Sequence, residues 1–198
     1  MLAIEKMKNM IQAGQIYEYK DFEPVSKDYK RNTAILIKEG VLVRVHAGIF
    51  FAPKRGALIE SFPPEHELIH RFLNDDHFVI YNLNRFNGLG LGTTQLYNKT
   101  VVFNRKRHGV FELYKQKYHF HRWREAPKKL TKEFLLVEMF NRFKELAEDK
   151  EKVVKSLENQ IGDFDQLFLQ ECLEKYGKIS VQKEFSELFE KISDLPST

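Results

Sequence analysis

The clearest alternation of apolar and polar positions lies in residues 26–54. Four residues recur at the spacing of one helical face: Tyr29, Thr33, Leu36 and Ile37. We predict a helix over residues 27–39, with the Ser26 hydroxyl as its N-cap. Gly40 supplies the left-handed residue that commonly ends a helix.

Two short β-rich runs follow, over residues 41–45 and 49–52, and the intervening His46-Ala47-Gly48 is typical of a hairpin turn. Upstream, residues 1–13 predict an amphipathic helix, and residues 17–22 a short extended piece and the start of a second helix. This order predicts a winged helix-turn-helix, whose second helix enters the major groove of DNA. The alternative interpretation is an ordinary helix and hairpin with a solvated basic face.

Basic side chains occupy the polar side of the predicted helix and flank the hairpin. On the helix, Lys27, Lys30 and Arg31 are the candidate DNA-binding residues, with Lys30 and Arg31 reaching base edges. The candidates on the wing and its flank are Arg44, His46, Lys54 and Arg55. We predict phosphate contacts for these four, because a wing lies along the duplex backbone.

Phe62-Pro63-Pro64 marks the predicted domain boundary, with a winged helix-turn-helix over residues 1–61 and a second domain over residues 62–198. The second domain begins with a predicted helix that Pro64 opens and that runs to about Asn74. The later elements are a strand over 78–81, a short helix over 82–89, strands over 99–104, 109–113 and 118–124, and helices over 130–148, 149–160, 163–176 and 181–192. The expected fold class is α+β, a winged helix-turn-helix followed by an α/β domain with a small, mostly antiparallel sheet and a helical C-terminal part.

The composition is that of a globular chain, with 42% hydrophobic and 30% charged residues among 198. No apolar stretch approaches the length of a membrane span, and the N-terminus lacks the pattern of a secretory signal. Cys172 is the single cysteine, which excludes a disulfide framework and a cysteine-based zinc site. We therefore expect a cytoplasmic protein with no membrane partner.

Charge is distributed unevenly along the chain. Residues 99–132 contain eleven Lys and Arg against two Glu, a net charge of +9, whereas residues 133–198 carry a net charge of −6. Such asymmetry suggests an anionic partner. Within the basic segment, Arg105-Lys106-Arg107 forms a predicted turn, which is a solvated turn, a phosphate-backbone contact or a docking patch for an acidic protein.

No constellation typical of catalysis emerges from the sequence. His108, His119 and His121 lack a recognised metal-ligand spacing, so we expect no metal. Gly88, Gly90 and Gly92 end a predicted helix instead of opening one, which favours a turn over a phosphate-binding loop. The adjacent acids Asp75 and Asp76 are expected in a solvated turn. We therefore predict that the protein is not an enzyme and needs no cofactor.

Two stretches resemble the AbiEi-type antitoxins of bacterial type IV toxin–antitoxin (abortive infection) systems. The stretches are Asp21-Phe22 with Leu36-Ile37-Lys38-Glu39-Gly40, Val41-Leu42-Val43-Arg44-Val45 and Gly48-Ile49-Phe50-Phe51-Ala52-Pro53, and then Tyr81 to Leu89 with Gly90-Leu91-Gly92-Thr93-Thr94-Gln95. The resemblance covers roughly residues 1–150 and is most specific in the wing.

The resemblance implies a transcriptional autorepressor that binds double-stranded operator DNA through its winged helix. It also implies an antitoxin whose C-terminal region counteracts a nucleotidyltransferase-like toxin. The basic segment is the expected docking face for the toxin, with Arg105, Lys106 and Arg107 as partner-binding residues, and a second DNA-backbone contact is its alternative. The alternative function is a protein-interaction or accessory module with a structural winged helix and no specific DNA target.

Overall fold

The computed structural model describes residues 2–54, 56 and 61–193. The chain forms two compact units. Unit 1 contains Met1–Asp76 and Val110–Tyr118, and unit 2 contains His77–Gly109 and His119–Thr198. These units differ from the predicted division at residue 62, because the segment before residue 77 and a distant hairpin both belong to unit 1.

Unit 1 combines a small sheet with helices that precede, interrupt and follow its strands along the chain. Its elements are α1 (Ala3–Met10), β1 (Ile16–Glu18), α2 (Tyr19–Phe22), α3 (Tyr29–Lys38), β2 (Val43–His46), β3 (Ile49–Phe51) and α4 (Glu65–Leu73). The strands are antiparallel and lie in the order β1-β3-β2. Met7, Phe22, Leu36 and Phe50 are fully buried in the cluster that joins the first three helices to the sheet. The predicted succession of helix, strand, two helices and hairpin is confirmed.

The start of α3 differs from the prediction. Asp28 takes the N-cap position and Tyr29 is the first helical residue, so Lys27 precedes the helix. Ser26 is buried, and its hydroxyl accepts a 2.9 Å hydrogen bond from the side chain of Asn32. Ser26 therefore fastens the segment before α3 to the helix through a side chain, and it does not cap a backbone amide of the first turn.

The end of α3 agrees with the prediction. Gly40 has φ 68°, and the Val41 amide donates a 2.9 Å hydrogen bond to the Leu36 carbonyl. This hydrogen bond, from the residue after the left-handed glycine back to the last turn of the helix, is typical of the Schellman motif. The motif satisfies carbonyls at the helix end that have no partner within the helix. Gly48, with φ 77°, makes the turn between β2 and β3 in the same region of backbone space.

Unit 2 is built on a second sheet and a set of helices. Its elements begin with β4 (Phe78–Asn82), a 3₁₀ helix (Leu83–Leu89) and β5 (Thr100–Asn104), and continue through β6 (Gly109–Leu113) and β7 (Gln116–Arg122) to α5 (Lys132–Asn141), α6 (Lys150–Gln160), α7 (Gln166–Tyr176) and α8 (Ile179–Ser193). The strand order is β4-β5-β7-β6, and β4 pairs with β5 in antiparallel register. Residues 110–118, which comprise β6 after Gly109 and β7 up to Tyr118, belong to unit 1.

The central helix of unit 2 is α5, in which every residue from Glu133 to Phe140 is buried. A helix that is buried on all sides is expected to be mostly apolar, and six of these eight residues are apolar, the exceptions being Glu133 and Glu138. The predicted helix over 130–148 is too long, because α5 ends at Asn141 and Arg142 leaves helical geometry with φ −109°. No helix in the described residues is both long and apolar enough to span a membrane.

Candidate nucleic-acid interface

The exposed face of α3 carries the cations predicted from the sequence. Lys30 and Arg31 are exposed in its first turn, and Lys27 is exposed just before it. Thr33 and Leu36 point into the core and are fully buried. The helix therefore presents positive charge on one side while its other side is held by packing.

Tyr19 links the first turn of α3 to the hairpin turn. Its ring centre lies 4.9 Å from that of Phe50 and 5.7 Å from that of Tyr29. Lys30 Nζ lies 5.9 Å from the centre of the Tyr19 ring, within cation–π range. A Cβ built on Gly48 would lie 3.8 Å from Tyr19 Cδ2, so the ring also underlies the turn. One aromatic side chain thus positions both candidate DNA-contacting elements.

The surface around α3 also contains acidic groups. A hydrogen bond with Glu23, together with burial, raises the pKa of Tyr29 above its ordinary value, so the phenol stays protonated at neutral pH. At the other end of α3, Glu39 forms a 2.9 Å ion pair with Lys8. Acidic groups therefore lie at both ends of α3, with Glu23 and Asp28 at its start and Glu39 at its end.

Among the wing candidates, Arg44 is joined to this region through Phe50, and His46 makes its ring contact elsewhere. Arg44 is exposed and is the register partner of Phe50, the residue on which Tyr19 packs. The His46 ring packs edge to face on Phe72 of α4, with centres 4.9 Å apart. The Val45 carbonyl accepts a 3.5 Å hydrogen bond from the Tyr114 amide.

Lys54 lies three residues beyond the end of β3 that is remote from the hairpin turn. Its amide donates a 3.1 Å hydrogen bond to Ser61 Oγ, and its side chain runs past Gly14. Five residues separate it from Ile49, which corresponds to about 16 Å of extended chain. Arg55 lies outside the described residues. Tyr19 and Phe50 thus connect Lys30 to Arg44, whereas Lys54 lies beyond the other end of β3.

In unit 2 the predicted basic turn is confirmed as an exposed loop between β5 and β6, containing Arg105, Lys106 and Arg107. The buried side chain of Asn104 organises it. Asn104 Oδ1 accepts hydrogen bonds from the amides of Lys106 at 2.8 Å and Arg107 at 2.7 Å. Its Nδ2 group donates to three carbonyls, those of Val102, Arg107 and His121. The turn thus has a defined backbone shape.

The histidines beside this turn pack with aromatic residues. His121 lies 5.3 Å from Phe103 and stacks on Trp123 at an interplanar angle of 22°. Burial, together with the charge of Arg142, lowers the pKa of His121, and burial also lowers that of His119. Among the described residues, no three His, Cys, Asp or Glu side chains are grouped so that they could hold a metal ion.

A buried polar network in unit 2 was missed from the sequence. The Tyr81 hydroxyl and Arg142 Nε both donate to Glu138 Oε2, at 2.5 and 2.9 Å. Burial and Glu138 raise the pKa of Tyr81 well above its ordinary value. Tyr81 and Glu138 raise the pKa of Arg142 against the opposing effect of burial. Glu138 and Arg142 stand four residues apart within the helix predicted over 130–148, a spacing that could have suggested their pairing.

Two other loops were predicted as turns. Near the glycines, the Glu148 carboxylate accepts hydrogen bonds from the amides of Thr94 and Gln95, at 3.2 and 3.0 Å. An internal carboxylate therefore takes the amides that could bind a phosphate, and the turn interpretation agrees with this geometry.

The expectation that both acids at the end of α4 are solvated is wrong for Asp75, which is buried, whereas Asp76 is exposed and lies 2.8 Å from His70 Nδ1.

Compared with protein-family models and with curated proteins, the sequence matches none of them.

Proposed function

We propose that the protein binds duplex DNA through unit 1, as a winged helix-turn-helix, and acts as the autorepressor and antitoxin of a toxin–antitoxin operon. The observation that supports DNA binding best is the order α1-β1-α2-α3-β2-β3 with the sheet order β1-β3-β2. In such modules the N-terminal residues of the second helix of the motif contact base edges. Lys30 and Arg31 occupy that part of α3.

The roles of the two residues follow from their chemistry. An arginine can donate two parallel hydrogen bonds to guanine in the major groove, so Arg31 is the candidate for base selection. Lys30 is oriented by the Tyr19 and Tyr29 rings, which lie 5.9 and 5.8 Å from its Nζ. Arg44, on the neighbouring strand, is placed to contact a phosphate, which adds affinity without sequence preference.

A mobility-shift titration with the DNA upstream of the protein's own gene tests this proposal. We expect the wild-type protein to shift this DNA more tightly than a scrambled duplex. Lys30→Ala with Arg31→Ala should remove the preference. The matched control is Lys152→Ala with Lys183→Ala, which removes two exposed charges from unit 2 and should leave binding unchanged. Equal affinity of the double variant and the wild type for the upstream DNA would refute the assignment of α3.

The antitoxin role is supported by the resemblance described above. For it, the turn at residues 105–107 is the proposed docking site for an acidic surface of the toxin, because complementary charge speeds encounter and fixes orientation. Changing Arg105, Lys106 and Arg107 to Glu should abolish protection of cells that express a neighbouring nucleotidyltransferase-like toxin, while operator binding persists. Loss of DNA binding with protection retained would assign the turn to nucleic acid.

A second candidate function is an accessory or protein-interaction module in which the winged helix is structural. The packing of His46 on Phe72, and the hydrogen bond from Tyr114 to Val45, favour it, because both engage the hairpin within unit 1. The same titration distinguishes the two, since a structural wing predicts equal and weak binding to upstream and scrambled duplexes.

A further inference from the structure

Unit 2 contains a cleft of about 370 Å³ between residues 125–131 and helix α7. Neither α3 nor the turn at residues 105–107 lines it. Its volume falls in the range of small-molecule sites. The cleft is therefore a candidate small-molecule site, separate from both surfaces described above.

The floor of the cleft is apolar and largely aromatic. The rings of Phe134 and Tyr176 meet edge to face there, with centres 5.2 Å apart, and Cys172 lies beside them. Burial raises the pKa of the Cys172 thiol to about 11, so this group is uncharged at neutral pH. Phe168 is 39% exposed and extends the apolar wall towards the opening. Such a floor suits an aromatic or branched aliphatic body.

On the side of residues 125–131 the rim of the cleft carries Glu125, Lys128 and Lys129, so the cations there outnumber the one carboxylate. Lys128 and Lys129 both line it and are exposed, and neither has an ion-pair partner within the part of the chain that the structure describes. Lys175 also lines the cleft, but Glu171 lies 3.8 Å from it and offsets its charge. The rim therefore carries two lysines whose charge an incoming anion could neutralise.

The start of α5 adds to this preference. Thr131 lines the cleft and caps α5, accepting a 3.2 Å hydrogen bond from the Phe134 amide. The positive end of the helix dipole thus lies at the same edge as the lysine pair. Anions are favoured near a helix N-terminus, and here that end adjoins an apolar cavity and two cations.

We propose that this cleft binds a small organic anion, a carboxylate carried on an aromatic or branched aliphatic body. The body packs on Phe134, Phe168 and Tyr176, and the carboxylate lies at Lys128 and Lys129. The volume favours a small molecule over a protein segment, which would need a longer groove. This inference does not depend on DNA binding or toxin neutralisation.

Calorimetric titration of the full chain with 2-naphthoate, and with the neutral analogue 2-naphthalenemethanol, tests the charge requirement. We expect 2-naphthoate to bind with one site, and about tenfold or more tightly than the alcohol, because only the carboxylate can accept charge-assisted hydrogen bonds. Cys172, the single cysteine of the chain, reports the location. Bound 2-naphthoate should slow its modification by N-ethylmaleimide several-fold.

Two variants separate this site from general surface charge. Lys128→Ala with Lys129→Ala should weaken 2-naphthoate about tenfold or more, for the loss of two charge-assisted contacts. Lys152→Ala with Lys155→Ala, which removes the same charge from α6, should not. Equal weakening by both pairs, or an unprotected Cys172 with saturating 2-naphthoate, would overturn the proposal. So would an acidic Phe-rich peptide that protects Cys172 where 2-naphthoate does not, since the occupant would then be a protein segment.

Discussion

The Tyr81 hydroxyl donates a 2.5 Å hydrogen bond to the Glu138 carboxylate, and both side chains are buried in unit 2. Arg142 Nε lies 3.1 Å from the same hydroxyl oxygen and 2.9 Å from Glu138 Oε2. The Asn141 side chain donates to the other oxygen of Glu138 at 2.9 Å. A buried carboxylate thus obtains a charged partner and hydrogen bonds on both oxygens, which is the condition under which a buried charge is tolerated.

Removing one partner of this pair should destabilise the protein strongly. Glu138→Ala leaves the Arg142 charge buried and uncompensated, so we expect a loss of about 3–5 kcal/mol in the free energy of unfolding. Tyr81→Phe removes a hydrogen bond to a charged group and should cost about 1–3 kcal/mol. Urea unfolding followed by circular dichroism measures both values.

The matched control is Glu184→Ala. Glu184 pairs with Lys150 at 2.8 Å but is partly exposed, so the expected loss is below about 1 kcal/mol. A Glu138→Ala variant that is no less stable than Glu184→Ala would show that the buried pair is not needed for folding.

Cys172 should make stability fall at alkaline pH. Burial raises the pKa of its thiol from 9.0 to about 11 in the folded state. Below pH 9 the thiol is protonated in both the folded and the unfolded state. Between pH 9 and the folded pKa of about 11, the thiol ionises in the unfolded state but stays protonated in the folded state. The free energy of unfolding therefore falls as pH rises through this window to the folded pKa. We expect this group to account for about 1–3 kcal/mol over that window.

Cys172→Ala tests this pH dependence. The variant should be less stable than the wild type below pH 9, because a small buried side chain is shortened. Its deficit should shrink as pH approaches the folded pKa of about 11. A deficit that stays constant across the range would contradict ionisation of this thiol as a source of alkaline destabilisation.

Local patterns in the sequence predicted much of the fold. The four apolar residues expected on one face of the helix after Pro64, namely Leu68, Ile69, Phe72 and Leu73, are all buried in α4. Periodicity succeeds here because one helical face packs against a core and the other meets water. The end of α3 was equally predictable, since a glycine in the left-handed region satisfies local backbone carbonyls.

Relationships between distant parts of the chain were not predictable. Tyr81 and Glu138 are 57 residues apart, and no local pattern joins them. The same applies to His46. The sequence predicted it as a phosphate contact on the wing, whereas its ring packs on Phe72. Asn104 offered a weak signal, because an asparagine at the end of a strand commonly accepts hydrogen bonds from the next backbone amides.

Asn104 should be needed for the shape of the basic turn. Asn104→Ala removes its side-chain hydrogen bonds and leaves buried backbone groups unsatisfied, so we expect a loss of about 2–3 kcal/mol in unfolding free energy. Amide hydrogen exchange at Lys106 and Arg107 should accelerate, since both amides lose their acceptor. Asn104→Asp keeps the acceptor and should protect these amides better than alanine. Exchange rates in Asn104→Ala equal to those of the wild type and of Asn104→Asp would show that the turn forms without the side chain.

Replacing His46 is expected to change the stability of the protein more than its affinity for DNA. Its edge-to-face contact with Phe72 corresponds to about 0.5–1.5 kcal/mol beyond area burial. His46→Ala should therefore lower the melting temperature, and the salt dependence of DNA binding should stay at the wild-type slope. A normal melting temperature with a reduced slope would instead make His46 a phosphate contact.

Arg44 and Lys54 were predicted to act together as phosphate contacts, and their positions now give different expectations. Arg44 is the register partner of Phe50, on which the Tyr19 ring packs, and Lys30 lies over that same ring. We therefore expect Arg44 to face the same stretch of duplex as α3. Arg44→Ala should weaken specific and non-specific DNA alike, and should reduce the slope of log affinity against log salt by about one. Lys54, at the far end of β3, should leave that slope nearly unchanged when replaced by alanine. Affinity titrations of both single variants at several salt concentrations measure this. A slope reduced equally by the two substitutions would mean that the duplex runs along the whole length of β3, and the contact at the hairpin end would then be only part of the interface.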